Sequence, residues 1–257
     1  YNYSNAMNHL ELSFISKDSS IQRAGRAGRL SNGKCYKLWH QAKILQESDK
    51  PEILRTDLSS LILDLALWGV RQFSELKWLD IPDEEVINKT KEVLKELFML
   101  DNSYEITQFG KDALSLGLHP RFSYMILRAN DLGYAHEACL LASLLSEKDI
   151  YKNVARNSDI LTRFIHLIDK DFDSSYIHKH RAKEIIKQAG FFYNKLKKIK
   201  TITIKSQNRD FDKEMIAILV LFAYPDRLAK LRVKNDNKYK LSNGKGAILH
   251  NEDVLFN

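Results

Sequence analysis

Two arginines and a glutamine mark the first chemistry visible in the chain. In Gln22-Arg23-Ala24-Gly25-Arg26-Ala27-Gly28-Arg29, a helical course of about 100° per residue brings Gln22, Arg26 and Arg29 into an arc of about 60°. Guanidinium is planar, permanently charged and matched to phosphate oxygens. Two of them beside an amide can hold a phosphoryl group and steady the charge that develops on it during transfer. Arginine fingers are worth about 10³–10⁵ in turnover where they have been measured. Ala24, Gly25, Ala27 and Gly28 leave the rest of such a helix nearly bare, so another element can approach it closely. A glycine costs a helix about 1 kcal/mol against alanine, so something other than helix stability set this stretch. On charge alone, an Arg-rich surface helix that binds RNA, or nothing, is the simpler reading.

A second basic stretch lies far downstream. Between His178 and Lys213 there are eleven Lys/Arg against three acids, a local excess as large as the +7 of all 257 residues. Phe191, Phe192 and Tyr193 interrupt it. Cations neutralise phosphates and aromatic rings stack on unpaired bases, so Lys195, Lys197, Lys198 and Lys200 are candidate nucleic-acid contacts. The plainer alternative is a solvated amphipathic helix whose Phe pair faces the core. The whole-chain pI of about 9.2 agrees with an anionic partner without naming it.

The elements that must position these groups read as mainly helical. Ten Gly and four Pro are few for a turn-rich β fold. With 44% hydrophobic residues the chain can bury a core, and its apolar runs are too short to span a bilayer. Two distant cysteines, Cys35 and Cys139, fit a reducing compartment and read as buried or half-buried thiols. Tyr1–Ala6 has the look of a tag remnant. Leu10–Ile15 and Cys35–Trp39 read as short strands around a helix capped by Ser19 or Ser20 and running through Arg29. A connector with Pro51 leads to a helix over Leu58–Trp68, stopped by Gly69. A helix opening on Asp83-Glu84-Glu85 follows, with Val86, Ile87, Val93, Leu94, Leu97 and Phe98 as its apolar positions. Tyr104–Ile106 reads as a short strand, and Thr107 as the cap of the next helix. Further helices are expected over Pro120–Asp131, Ala135–Ser146, Asp159–Ile168, Ser175–Lys198 and Asp212–Ala223. Thr201–Ile204 is expected to be extended. Strands are expected over Lys238–Leu241 and Ala247–His250 around the Asn243-Gly244 turn. Trp39, Trp68 and Trp78 read as packing residues.

The arginine octapeptide resembles motif VI of superfamily 2 helicases in its DEAH-box form, Q-R-x-G-R-x-G-R. Carried over by position, the resemblance makes Gln22, Arg26 and Arg29 the residues that face ATP between two RecA-like lobes, with Arg26 and Arg29 as arginine fingers. Arg23 then supports the local structure. Asp57–Gly69 with Trp78-Leu79-Asp80-Ile81-Pro82 is similar to the winged helix that follows motif VI. Leu118-His119-Pro120-Arg121 is similar to the opening of the family's helical bundle, or ratchet. Tyr224-Pro225-Asp226-Arg227-Leu228-Ala229 and Tyr239–Ala247 resemble the bacterial HrpB branch where its OB-like fold begins. The implied organisation is the end of the second RecA-like lobe over 7–50, winged helix over 51–117, bundle over 118–210 and HrpB-type region over 211–257. The resemblance implies ATP with Mg²⁺, single-stranded RNA or DNA, no membrane, and the cytoplasm.

A helicase engine also needs a P-loop, G-x-x-x-x-G-K-[ST], and a DEAH box. Gly33-Lys34, Gly110-Lys111 and Gly244-Lys245 lack the following Ser/Thr. Asp83-Glu84-Glu85-Val86 is better explained as an acidic first helical turn. The expectation is therefore a C-terminal fragment, inactive alone, whose partners include the missing N-terminal lobes of the same chain. Asp169–Asp173 lacks the Gly and Glu of a calcium loop, and His178 and His180 have no zinc spacing. Two other classes stay open: a stand-alone basic nucleic-acid-binding module without ATP chemistry, and a protein-interaction platform built on the bundle.

Overall fold

Ser16 starts the first helix, α1 (Lys17–Ala27). Its backbone is extended and its Oγ accepts the Ser19 N–H at 3.2 Å. The first N–H groups of a helix have no intrahelical acceptor. Here those of Lys17 and Asp18 donate to the carbonyls of Gln46 (2.8 Å) and Glu47 (3.0 Å). Lys17 Nζ meets Glu47 at 3.1 Å, and Ser19 Oγ donates to Asp49 at 2.8 Å. Ser19 and Ser20 thus lie inside the helix rather than capping it. At the other end Gly28 leaves helical geometry (φ −104°, ψ 13°), so Arg29 stands beyond the helix and not on its face. The chain then folds back: a Cβ on Gly33 would lie 1.9 Å from the Ala27 carbonyl oxygen, so position 33 must be glycine.

This computed structural model describes residues 12–152, 157–205, 212–234 and 236–256. The expected tag remnant and Leu10 lie outside the described residues, as do Arg209 and Asp210 of the basic stretch. The expected strands over Leu12–Ile15 and Cys35–Trp39 do not form: an extended segment becomes a strand only beside a ladder partner, and neither has one among the described residues.

The chain divides into two compact units, Tyr1–Leu58 with Gln72–Lys89, and Ser59–Arg71 with Thr90–Asn257. In the first, 3₁₀ turns at Glu52–Leu54 and Phe73–Glu75 follow α1. Trp78 stacks on Phe73 at 5.1 Å and donates Nε1–H to its carbonyl at 2.7 Å.

In the second unit α2 (Ser59–Leu67) ends at Gly69 (φ 85°), where the Val70 N–H reaches Leu65 and the Gly69 N–H reaches Ala66. The same pair of bonds closes α3 (Glu84–Glu96), a helix shared by both units, but its left-handed residue is Phe98 (φ 56°). Phe98 is therefore 65% exposed and not a core position, whereas Leu94 and Leu97 are buried. Trp68 is also outside the core, 74% exposed, because it follows the last turn of α2. The strand expected at Tyr104–Ile106 is reduced to one bridge, Leu100–Ile106. Thr107 caps α4 (Gln108–Leu116), accepting the Gly110 N–H at 3.0 Å.

Helices α5 (Pro120–Asp131) and α6 (Ala135–Ser146) match the expected bounds. Asp159 caps α7 (Ile160–Asp169) through the N–H groups of Leu161 and Thr162. Helix α8 (Lys179–Lys198) begins later than expected because Ile177 bridges Tyr151 instead. It is followed by α9 (Glu214–Ala223). The apolar faces of α5, α6, α8 and α9 meet, α6 on α8 and α5 between α6 and α9, around Met125, Ile126, Leu141, Ile185 and Leu219. Residues 201–205 run without regular structure along α5, held by Asn130, whose amide donates to the Thr203 carbonyl (3.0 Å) and accepts the Lys205 N–H (3.2 Å). A small antiparallel sheet closes the unit: β1 (Ala229–Leu231), β2 (Lys238–Leu241) and β3 (Gly246–Ile248), in the order β1-β2-β3.

Candidate functional site

Helix α1 carries Gln22 and Arg26 one turn apart, and Arg29 follows two residues after its end. All three are exposed, as is Arg23. None of the ion pairs found among the described residues involves Arg23, Arg26 or Arg29. The small-residue side is equally open: a Cβ built on Gly25 or Gly28 meets nothing within 4 Å. The four N-terminal bonds to residues 46–49 fix this helix at the end opposite Arg26. The arrangement offers three unspent donor groups on a short, anchored scaffold. Such a set fits the oxygens of an anion. In the same unit Leu12, Phe14, Leu30, Tyr36, Leu38 and Ile44 are all exposed.

The basic stretch of α8 is less free than its charge suggests. Lys195 Nζ donates to the Leu116 carbonyl at 3.1 Å, and so places a cation on the C-terminus of α4, where it is favoured. It also lies 5.1 Å from the centre of the Phe191 ring. Lys197 sits over Tyr193 at 4.4 Å. Lys198 and Lys200 are exposed and share a shallow cleft with Asp112, Ser115 and Thr201. The Phe pair is split: Phe192 is buried in the bundle and Phe191 points out. The structure thus gathers Lys195, Lys197, Lys198 and Lys200 at one end of α8, all in the unit that does not contain α1.

Two buried arginines were not singled out for their contacts in the sequence. Arg121 Nη1 donates to the Ala223 carbonyl (3.1 Å) and pairs with Asp226 (2.6 Å), joining the two stretches, His119–Arg121 and Tyr224–Arg227, that carry the family resemblance. Arg163, 5% exposed, pairs with Asp149 at 2.7 Å, bonds the carbonyls of Asn157 and Asp159, and lies 4.6 Å from the centre of the Tyr151 ring. Asp253 accepts the N–H groups of Leu255 and Ser158, and these bonds hold its carboxyl below the usual range. The signal for such residues is an arginine inside an otherwise apolar helical face, which must find partners to be buried.

Cys139 is buried in α6, and desolvation, with help from Glu137, pushes its thiol up to about 12; it is inert at neutral pH. Cys35 is exposed, contrary to expectation, because its segment has no sheet to lie in. Among the described residues no group of three His, Cys, Asp or Glu is placed to hold a metal ion, and no described helix is long and apolar enough to cross a membrane.

No family model matches the chain. The ATP-dependent RNA helicase HrpB of Escherichia coli K12 is 29% identical over 243 residues, which are 94% of this chain and 27% of that protein. The probable ATP-dependent RNA helicase DHR1 of Saccharomyces cerevisiae is 33% identical over 156 residues, 60% of this chain and 12% of that one. A crystal structure of the Escherichia coli DEAH/RHA helicase HrpB superposes with a TM-score of 0.71 at 26% identity, covering 100% of this chain and 29% of that chain. The homologues of this chain are therefore ATP-dependent RNA helicases of the DEAH-box type, and the chain spans about a quarter of HrpB, in its C-terminal portion.

Proposed function

We propose that the chain is the accessory part of an ATP-dependent helicase that works on single-stranded RNA, in which α1 supplies arginine fingers to the ATP site and the helical unit holds the strand. The observation that carries this reading is the state of Arg26 and Arg29. Both are exposed and without carboxylate partners among the described residues, on a chain whose homologues are named ATP-dependent RNA helicases. The exposed apolar side chains of residues 12–44 support it, since a larger lobe would cover them.

ATP, when bound, supplies the phosphoanhydride whose cleavage drives the motor. Toward it this chain does one thing: Gln22 and Arg26 from the last turns of α1, and Arg29 from the bend behind it, donate N–H groups to phosphate oxygens and balance their charge. These donors suit phosphate rather than Mg²⁺, which takes oxygen ligands. With α1 tied at residues 46–49, the guanidiniums move with their lobe, so closing that lobe on nucleotide brings them in and opening withdraws them. Residues 7–50 act as the end of the second RecA-like lobe. Residues 51–117, with α2, the Leu100–Ile106 bridge and α4, act as a winged helix. Residues 118–210 act as the bundle, and 211–257 as the start of an OB-like region. Lys197, Lys198 and Lys200 face the strand. Lys195, engaged with Leu116, steadies that end of α8.

The test is Arg29→Ala in the helicase joined to its nucleotide-binding lobes. ATP turnover is expected to fall by about 10³ or more while strand affinity stays nearly unchanged. Turnover within about twofold of the parent removes the finger assignment. This chain alone is expected to hydrolyse no ATP.

The second reading is a basic nucleic-acid-binding module without ATP chemistry, favoured by the exposed lysines at the end of α8. It predicts full strand binding by this chain and no effect of Arg29→Ala on any activity of the longer protein.

A further inference from the structure

The pentapeptide Leu-Ser-Asn-Gly-Lys occurs twice in the chain, as Leu30–Lys34 and as Leu241–Lys245. An asparagine before a glycine carries a reaction of its own. The backbone nitrogen of the glycine, once it has lost its proton, attacks the side-chain carbonyl carbon of the asparagine. The new N–Cγ bond closes a succinimide ring, the Cγ–Nδ2 bond breaks and ammonia leaves. Water then opens the ring at either carbonyl and leaves aspartate or isoaspartate. Glycine favours the attack because it has no Cβ to obstruct it. The two copies have the same immediate neighbours, so a difference in their reactivity is set by the fold.

The fold treats them differently. At the second copy the turn between β2 and β3 holds both reacting groups. The Gly244 N–H donates to the Leu241 carbonyl at 2.9 Å, which opposes loss of its proton. Asn243 Oδ1 accepts the Lys245 N–H at 3.1 Å, and the Asn243 N–H donates to the Asp226 carbonyl at 3.2 Å. At the first copy residues 32–38 have no regular structure, and Asn32 and Gly33 are exposed. None of the hydrogen bonds found among the described residues involves the Asn32 side chain or the Gly33 N–H. Nor can Gly33 be exchanged for a bulkier residue, because its Cβ would stand 1.9 Å from the Ala27 carbonyl oxygen. The contact that folds the chain back on α1 therefore imposes the least obstructing residue after Asn32.

We infer that Asn32 is a site of spontaneous deamidation in the folded chain, and that Asn243 is protected from it. The product is a carboxylate three residues beyond Arg29. From Gln22 to Gln46 there are six Lys/Arg and no acid, so this would be the first anion in the stretch, competing with phosphate for the guanidiniums. Isoaspartate also adds a carbon to the main chain beside the Gly33–Ala27 contact. The chemistry stands apart from the finger assignment. Only its effect on an anion held by Arg26 and Arg29 rests on that reading.

The measurement is incubation of this chain in mildly alkaline buffer, folded and in urea, with mass spectrometry of the peptides that carry each copy. In the folded chain Asn32 should convert from amide to acid about tenfold or more faster than Asn243, the factor that one hydrogen bond of ordinary net strength is worth. In urea the two should convert at the same rate. Equal rates in the folded chain overturn the inference. So does a preference for Asn32 that survives in urea, which would place its cause in the wider sequence rather than in the fold. In the helicase joined to its nucleotide-binding lobes, Asn32→Asp should raise the KM for ATP several-fold. An unchanged KM overturns the effect on the anion, whereas the conversion rates alone decide the modification.

Discussion

Arg26 and Arg163 are arginines on helices of similar length, and the chain treats them in opposite ways. Arg163, on α7, is 5% exposed and is met by a carboxylate, two carbonyls and an aromatic ring. Arg26, on α1, is exposed and stands among small residues with no carboxylate beside it. A buried charge must be fully paired or it costs several kcal/mol, so its chemistry is consumed by the fold. An exposed one on an anchored scaffold keeps its donors for a ligand. The same contrast separates Lys195, engaged with Leu116, from Lys240, exposed and flanked by Lys230 and Gly246.

The largest effect belongs to the exposed pair. Arg26→Ala with Arg29→Ala should remove about 10³ or more of ATP turnover in the joined helicase, yet leave the urea midpoint of this chain within about 0.5 kcal/mol of the parent. A clear loss of stability would break the comparison, because it would make the motif a structural element. Arg163→Ala should do the reverse. It leaves the half-buried Asp149 carboxylate with the Tyr151 N–H but no cation, and removes a buried side chain, and should cost about 3 kcal/mol, read by urea titration. Arg163→Lys should recover little of it, since a single ammonium cannot replace the fork. Ser16→Ala should cost about 1 kcal/mol, with the loss appearing as faster hydrogen exchange confined to α1. The smallest change runs the other way. Phe98→Gly should raise stability by about 0.5–1 kcal/mol, because glycine accepts the left-handed backbone without penalty. An unchanged midpoint would mean the exposed Phe98 ring makes a compensating contact.

The bundle is legible in the sequence because its signals are local. His119-Pro120 opens α5, Gly133 follows its end, and the apolar spacing between them has one reading. The register of α1 is not legible. Ser16, Ser19 and Ser20 are all competent caps, and the choice is made by carbonyls at Gln46 and Glu47, some thirty residues away. The resemblance implies Gln22, Arg26 and Arg29 together, but the helical arc drawn through them fails at Gly28, so Arg29 stands in the bend beyond the helix. Strand β1 carries no sequence signal, because its three residues, all exposed, are too few to show an alternation.

The anchoring of α1 has a consequence for the order in which the chain takes shape. An isolated helix of 11 residues with an internal glycine is marginal in water. Its first N–H groups are met by residues made some thirty positions later, so it cannot persist while the polypeptide is only that far out of the ribosome. The arginines are therefore put on display only after Gln46–Asp49 has emerged and closed the loop.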